Sequence, residues 1–179
     1  MLVHADGLPL FSHRKFLTRK AYFRLIHRHE PLDVPLPPGY RFESVNSEGD
    51  FAQVVGLLRA CYQGIDISIK VVQTWTSHPV YDPNRWVWVV GQQTGEKVGL
   101  GIAELDSRVP EASLEWVQVM PNFQNRGIGT ALVGELLHRA TQHAVFTTVS
   151  GECDNRYQPE RLYRKCGFSG TDVWWLLAD

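Results

Sequence analysis

Apolar and polar positions mark out a series of strands and helices along the chain. Tyr40-Arg-Phe-Glu-Ser-Val45 alternates, the period of a half-buried strand. Ser47-Glu-Gly-Asp50 reads as a helix start. Phe51, Val54, Val55, Leu58 and Cys61 then recur at helical spacing until Gly64 breaks the run. Residues 67–76 predict a second, short helix, and 78–84, with Pro79 and Pro83, is loop chemistry. Trp86-Val-Trp-Val-Val90 is a strand-sized apolar run, Gln92-Gln-Thr-Gly95 turns the chain, and residues 97–105 predict the antiparallel partner. Residues 113–120 read as a strand. Residues 127–142 read as a helix, with Ile128, Leu132, Leu136 and Ala140 four apart on one stripe and Val133 and Leu137 beside it. A strand over 144–150, a short helix over 159–166 stopped by Gly167, and a strand over 173–177 complete the series. The order predicts an α/β (α+β) domain built on a central mixed β-sheet flanked by helices.

Composition changes this picture little. At 179 residues, 44% hydrophobic and 21% charged, the chain has room for one domain with a real core. Its 18 Lys and Arg against 19 Asp and Glu give a net charge of −1, which argues against a polyanion binder and so against nucleic acid. The charge is uneven, however. Residues 1–30 carry six basic side chains (Arg14, Lys15, Arg19, Lys20, Arg24 and Arg28) against Asp6 and Glu30, and the rest of the chain is acidic. Pro31-Leu-Asp-Val-Pro-Leu-Pro-Pro-Gly39 places four prolines in nine residues, the composition of an extended linker. We therefore expect a boundary here: 1–38 is a basic N-terminal arm and Pro-rich linker, and 39–179 is the main domain. The arm reads as a segment that packs on the domain or across a homodimer, or as a contact for an acidic partner. Residues 22–28 fit a strand or a helical turn equally well.

No stretch approaches the roughly 20 apolar residues of a membrane helix. The first residues lack a basic segment before an apolar one, so no leader peptide is expected. Cys61, Cys153 and Cys166 are odd in number, far apart and in no ligand spacing, as for reduced thiols in a cytoplasmic protein. The seven histidines show no metal spacing: His27 and His29 would point oppositely on an extended chain, and His138 and His143 miss the i, i+4 pair. No metal is expected.

The most informative stretch is Leu114-Glu-Trp-Val-Gln-Val-Met-Pro-Asn-Phe-Gln-Asn-Arg-Gly-Ile-Gly-Thr-Ala-Leu-Val133, a strand, a short loop and a helix opening at Gly127 and Gly129. Helix N-termini carry unpaired N–H groups and about half a positive charge, so they attract phosphate. Two alternate glycines let a ligand approach the backbone, and Arg126 adds a cation. Neither the P-loop GxxxxGK[ST] nor the dinucleotide GxGxxG is present; Leu132 stands where the third glycine would be.

The pattern Gln124-x-x-Gly127-x-Gly129 after a strand ending Val119-x-Pro121 resembles the acyl-CoA-binding motif of the GNAT N-acetyltransferase superfamily. A second block agrees: Asn155, then Leu162-Tyr163-Arg164-Lys165-Cys166-Gly167-Phe168, is similar to that family's closing segment. Gln158-Pro159 stand where the family usually carries an alanine. The resemblance covers roughly residues 40–179. It implies a GNAT-like acyl-CoA N-acyltransferase fold and acetyl-CoA as co-substrate. It further implies pantetheine pairing along Val117, Gln118 and Val119. A pyrophosphate cradle would come from the N–H groups of Gln124, Asn125, Arg126, Gly127, Ile128, Gly129 and Thr130, and a pantetheine contact from Asn155. Two parallel strands would splay there, with the thioester in the gap.

The implied reaction is transfer of the acyl group to a primary amine by direct attack. Tyr163 matches the family's thiolate-facing tyrosine and is the expected general acid. A strand N–H near Val119 suits the oxyanion. For the base we expect Glu115, placed by alternation on the face of Val117 and Val119, with Glu104 and Glu152 as rivals. Cys61, Tyr62, Asp66, Trp75, His78, Tyr81 and Trp116 are candidates for the acceptor pocket. The alternative function is a non-catalytic acyl-CoA-binding regulatory domain.

Overall fold

The apolar runs assemble into an eight-stranded sheet. The structure, a computed structural model, describes residues 1–46, 49–62, 64–106 and 108–179. The expected helix start at 47–50 includes Ser47 and Glu48, which lie outside the described residues. The strands are β1 (Leu2–His4), β2 (Thr18–His27), β3 (Tyr40–Ser44), β4 (Trp86–Gly91), β5 (Lys97–Asp106), β6 (Glu111–Val119), β7 (Phe146–Glu152) and β8 (Ser169–Ala178). The helices are α1 (Phe51–Cys61), α2 (Ile69–Thr76), α3 (Ile128–Ala140) and α4 (Pro159–Lys165), with 3-10 turns at Ala5–Phe11, Pro83–Arg85 and Pro121–Phe123. The sheet order is β1-β8-β2-β7-β6-β5-β4-β3. Every neighbouring pair is antiparallel except β6 and β7.

The sheet has a core on each face. β4 is buried at all six positions, so its alternation feeds both. Val87 and Val89 join Leu132, Val133 and Leu136 of α3 on one face, with Tyr163 and Phe168 around α4. Trp86, Trp88 and Val90 join Val54, Leu58 and Val72 of α1 and α2 on the other. Gly101 of β5 permits the close seat of α3: a Cβ there would lie 2.8 Å from Leu136 Cδ1. Asp50, at the start of α1, anchors this helix to the sheet by accepting from Trp88 Nε1 at 3.0 Å, from Asn46 N–H at 2.9 Å and from the Lys97 ammonium. Burial alone would raise the Asp50 pKa; Lys97 and these two N–H donors outweigh it and hold the carboxyl below its usual value.

The division expected at residue 38 is not a division of the sheet. β2 lies between β7 and β8, and Phe23 and Leu25 belong to the α3-side core. Its partners explain why it read as a basic arm. Lys20 pairs with Glu152 at 2.9 Å and Arg24 with Glu111 at 2.6 Å, while Arg14 reaches Asp179 at 3.2 Å. Three of the arm's six basic side chains therefore face acids supplied by distant parts of the same chain. The proline segment is extended as expected and crosses α3 on its way to β3. Leu32 and Leu36 pack on the core, Val34 lies near Gly134, and Pro37 lies near Gly127. His27 and His29, expected to point apart, come together because His29 adopts φ +61°. The His29 N–H donates to His27 Nδ1 at 2.9 Å, and His29 Nε2 lies 2.7 Å from Thr147 Oγ1.

Candidate active site

The site begins where β6 and β7 part. They pair only from Glu111↔Phe146 to Leu114↔Val149. The register of β6 against β5 shifts at this point, Ile102↔Trp116 being followed by Ala103↔Leu114, so Glu115 is an extra residue. Such a bulge bends a strand and ends regular pairing. It also resets the alternation. Leu114, Val117 and Val119 all meet the α3-side core and Trp116 meets the opposite one. Glu115 therefore does not share a face with Val117 and Val119 by simple period-2 spacing; its carboxylate accepts from Ser113 Oγ at 2.6 Å and is exposed.

Beyond the bulge one edge of the β6 backbone has no strand partner among the described residues. Met120 N–H donates to Val98 O at 2.8 Å, and the register pairs Gln118 with Leu100. Bonded and non-bonded pairs alternate along an antiparallel ladder. Gln118 and Met120 thus spend their backbone groups on β5, while Val117 and Val119 turn theirs toward the gap left by β7. Val119 O is taken by Gln124 Nε2 at 3.0 Å and by Cys61 Sγ at 3.6 Å. The N–H groups of Val117 and Val119 face the gap. Gln118 instead uses its side chain, donating from Nε2 to Tyr62 Oη at 2.8 Å.

The loop after β6 leads directly into the N-terminus of α3. Asn125 at φ +59° and Gly127 at φ +84° turn the chain, with Gly127 as the N-cap residue. The first intrahelical bond runs from Ala131 N–H to Gly127 O at 3.1 Å, so the N–H groups of Ile128, Gly129 and Thr130 are free of the helix ladder. Among the described residues no side chain caps them. Ile128 itself is buried, so only its backbone is offered. Arg126 is spent on the loop, donating to Asn122 O at 2.8 Å and lying 5.2 Å over the Phe123 ring. At Gly129 a Cβ would lie 3.5 Å from Leu162 Cδ2, so this glycine also admits α4 beside α3.

Tyr163 of α4 is buried among aromatic rings, 6.4 Å from Phe23 and 5.7 Å from Phe168. Burial, then the neighbouring Tyr62, Cys166 and Glu115, push its hydroxyl above the ordinary phenol range. Among the described residues, no hydrogen bond holds that hydroxyl. Asn155 closes the turn before α4, its Oδ1 accepting from Tyr157 N–H at 3.0 Å. Gln158, at φ +47°, enters the helix ahead of Pro159.

Of the three carboxylates, Glu104 and Glu115 are neighbours. Glu104 is raised by burial and then by the like charge of Glu115, against the opposing pull of His78. Glu152 is tied to Lys20. On the α1 side, Tyr62 lies edge-on to Trp116 at 5.8 Å, and Trp116 stacks on Trp75 at 5.6 Å. Burial pushes the Cys61 thiol up to about 11, away from nucleophilic use. Among the described residues no three His, Cys, Asp or Glu side chains are grouped to hold a metal ion.

An unpaired strand edge and an uncapped helix start thus meet at the gap between parallel strands, and Tyr163 belongs to the same core cluster as Val117 and Val119. Comparison with known proteins meets that geometry. The model of the acetyltransferase (GNAT) family matches residues 51–168, about two thirds of the chain. The chain belongs to the GNAT acetyltransferase family. No curated protein matches it. Among solved structures it is similar to a GCN5-related N-acetyltransferase from Sphaerobacter thermophilus, with TM-score 0.82 and 18% identity over 97% of this chain and 56% of that one. It is similar to a GCN5-related N-acetyltransferase from Kribbella flavida, with TM-score 0.65 and 16% identity over 97% of this chain and 65% of that one. Ard1 from Thermoplasma volcanium gives TM-score 0.62 and 17% identity over 79% of this chain and 99% of that one. At these identities the likeness is one of fold. The chain spans little more than half the length of the first of these, as it does for a tandem GNAT protein of the clavulanic acid pathway, where it covers 59%. GNAT acetyltransferases use acetyl-CoA as co-substrate, and the donors around the gap suit it: N–H groups at a helix start for a pyrophosphate, and a strand edge for an amide-bearing arm.

Tyr22 and Arg24 of β2 and Trp174 of β8 lie on the strands beyond β7. The sequence offered the ambiguous alternation of residues 22–28 and the expected strand over 173–177, but nothing that set these strands side by side.

Proposed function

We propose that this chain transfers an acetyl group from acetyl-CoA to a primary amine in the gap between β6 and β7. The observation that carries the reading is the continuity of donors from the Val117 and Val119 N–H groups to the uncapped start of α3. Bound acetyl-CoA supplies an activated carbonyl carbon; the amine nitrogen bonds to that carbon, the C–S bond breaks, and the CoA sulfur leaves with the electron pair.

The residues have separate tasks. The N–H groups of Asn125, Arg126, Gly127, Ile128, Gly129 and Thr130, with the Gln124 turn, hold the phosphates. Asn155 offers its side-chain amide to the pantetheine. Val119 N–H is a fixed dipole for charge developing on the carbonyl oxygen, and it needs no reorganisation. Glu115, or Glu104 beside it, takes the surplus proton of the amine. Tyr163 donates to the leaving sulfur. Its raised pKa keeps it protonated, so it is a hydrogen-bond donor throughout the ordinary pH range. A thiol pKa near 8.5 makes the thiolate a fair leaving group, so this donation assists rather than enables.

A panel of primary amines with acetyl-CoA, read by release of free CoA thiol, tests the proposal. Amine-dependent thiol release supports it. Saturable acetyl-CoA binding with no release on any amine favours the second reading, an acyl-CoA-binding regulatory domain.

A further inference from the structure

The half-sheet built by the N-terminal strands carries a feature that no residue of the proposed mechanism uses. Phe23 and Leu25 face the α3-side core, so Tyr22 and Arg24 alternate onto the opposite face. Their partners across the sheet share that face: Trp174 and Glu152 beside Tyr22, Ser150 beside Arg24, and Leu176 beside Lys20. Leu2 of β1 pairs with Leu176 at the rim. α1 and α2 pack over β4, β5 and the end of β6 on this face. Next to them, Leu2, Tyr22, Arg24, Ser150, Trp174 and Leu176 line a cavity of about 330 Å³ with predominantly apolar walls.

Three observations give this cavity an occupant. Ser150 follows Val149, the last residue of β7 to pair with β6, so the cavity opens at the point where the gap begins. Its cations are neutralised: Arg24 is bonded to Glu111, which also accepts from Thr148 Oγ1 at 2.7 Å, and Lys20 is bonded to Glu152. The walls thus suit an uncharged apolar body. The carboxyl groups of Glu115 on β6 and Glu104 on β5 lie on the other side of the gap, so the acidic side chains and the apolar walls are separated. Trp174 adds an indole N–H buried without a partner among the described residues.

We infer that this cavity seats the apolar body of the acceptor, so that the substrate is a primary amine bearing one large aromatic or aliphatic group. Strands β1 and β2 then select the substrate. At about 330 Å³ the volume lies at the lower end of the range for small-molecule pockets. The inference rests on the acetyl-transfer reading above.

The test compares phenethylamine, the peptide Phe-Gly-Gly and ethylamine as acceptors, with acetyl-CoA binding read separately by thermal shift. Phenethylamine should exceed ethylamine in kcat/KM by roughly 30-fold, the transfer value of a buried aromatic group. Preference between phenethylamine and Phe-Gly-Gly distinguishes a free amine from a peptide N-terminus. Leu2→Asp alters a residue that is 61% exposed and so leaves the fold intact. It should raise KM for phenethylamine on the order of tenfold and leave ethylamine unchanged, and Tyr22→Ala should do the same. Equal use of phenethylamine and ethylamine by the unmodified protein overturns the pocket while the proposed function stands. Equal slowing of both amines in the variants overturns it as well. A stable dimer that Leu2→Asp separates assigns the cavity to a second copy. Absence of any shift with acetyl-CoA removes the proposed function and the pocket together.

Discussion

Gly127→Glu is the most direct perturbation of the phosphate cradle. Gly127 is the N-cap of α3 at φ +84°, and the space around it is open except for Pro37 Cγ, 3.5 Å from where a Cβ would lie. Any side chain here carries the cost of a left-handed conformation, about 1–2 kcal/mol. A carboxylate at a helix start recovers about 0.3–1 kcal/mol of that from the dipole. The fold should therefore survive with a small loss of stability. Binding should not. A carboxylate about 4 Å from a phosphate charge costs about 4 kcal/mol at an effective dielectric of 20, roughly a thousandfold in affinity. Gly127→Ala isolates the strain, because it adds a methyl group in ordinary contact with Pro37 and no charge. Calorimetric titration with acetyl-CoA should give wild-type-like affinity within a few-fold for the alanine variant and no measurable binding for the glutamate variant. A folded glutamate variant that binds within tenfold of wild type would refute the assignment of this loop to phosphate.

Other consequences are separable. Tyr163→Phe should lower kcat about a hundredfold with acetyl-CoA affinity and melting temperature nearly unchanged, because the ring keeps its packing against Phe23 and Phe168 and no hydrogen bond is lost among the described residues; full activity removes the hydroxyl from the mechanism. Glu115→Gln should lower the plateau of the kcat/KM pH profile; a retained plateau whose rising limb moves to lower pH would instead give the base to Glu104, relieved of its like-charged neighbour. Stability should fall as pH drops below about 6.5, the ordinary histidine pKa, because burial holds His27 and His29 below that value. Their neutral folded forms bind fewer protons than the unfolded chain there, so acid favours unfolding. A further loss follows as pH falls through the lowered pKa of Asp50. Melting temperatures flat from pH 7 to 3 would contradict both.

What was legible in the sequence was local. The α3 stripe of Ile128, Leu132 and Leu136 lies within one helix, and the Gly127 turn that opens it is a backbone requirement visible in the residue itself. The Glu115 bulge was not legible, because an extra residue exists only relative to the register of β5. Strict alternation therefore placed Glu115 on the wrong face. β2 was hidden for a similar reason. Its outward positions Lys20 and Arg24 find their acids at Glu152 and Glu111, more than 80 residues away in sequence, so the strand read as a charged arm before a linker. The slot between β7 and β8 is set by these long-range pairings. The cavity at Tyr22 and Trp174 inherits that invisibility, since its walls come from both ends of the chain.

Binding of acetyl-CoA in the gap between β6 and β7 underlies every step of the proposed function. Thermal unfolding with acetyl-CoA, alongside ATP, tests it most directly. A specific ligand at a hundred times its Kd stabilises by about 2.7 kcal/mol, which for a chain of this size is about 5–11 °C. A saturable rise of that order is expected with acetyl-CoA, and little from ATP. No shift with acetyl-CoA, or an equal shift with ATP, would reduce the Gly127 loop to a packing turn or a general phosphate site and remove the basis for acetyl transfer in this gap.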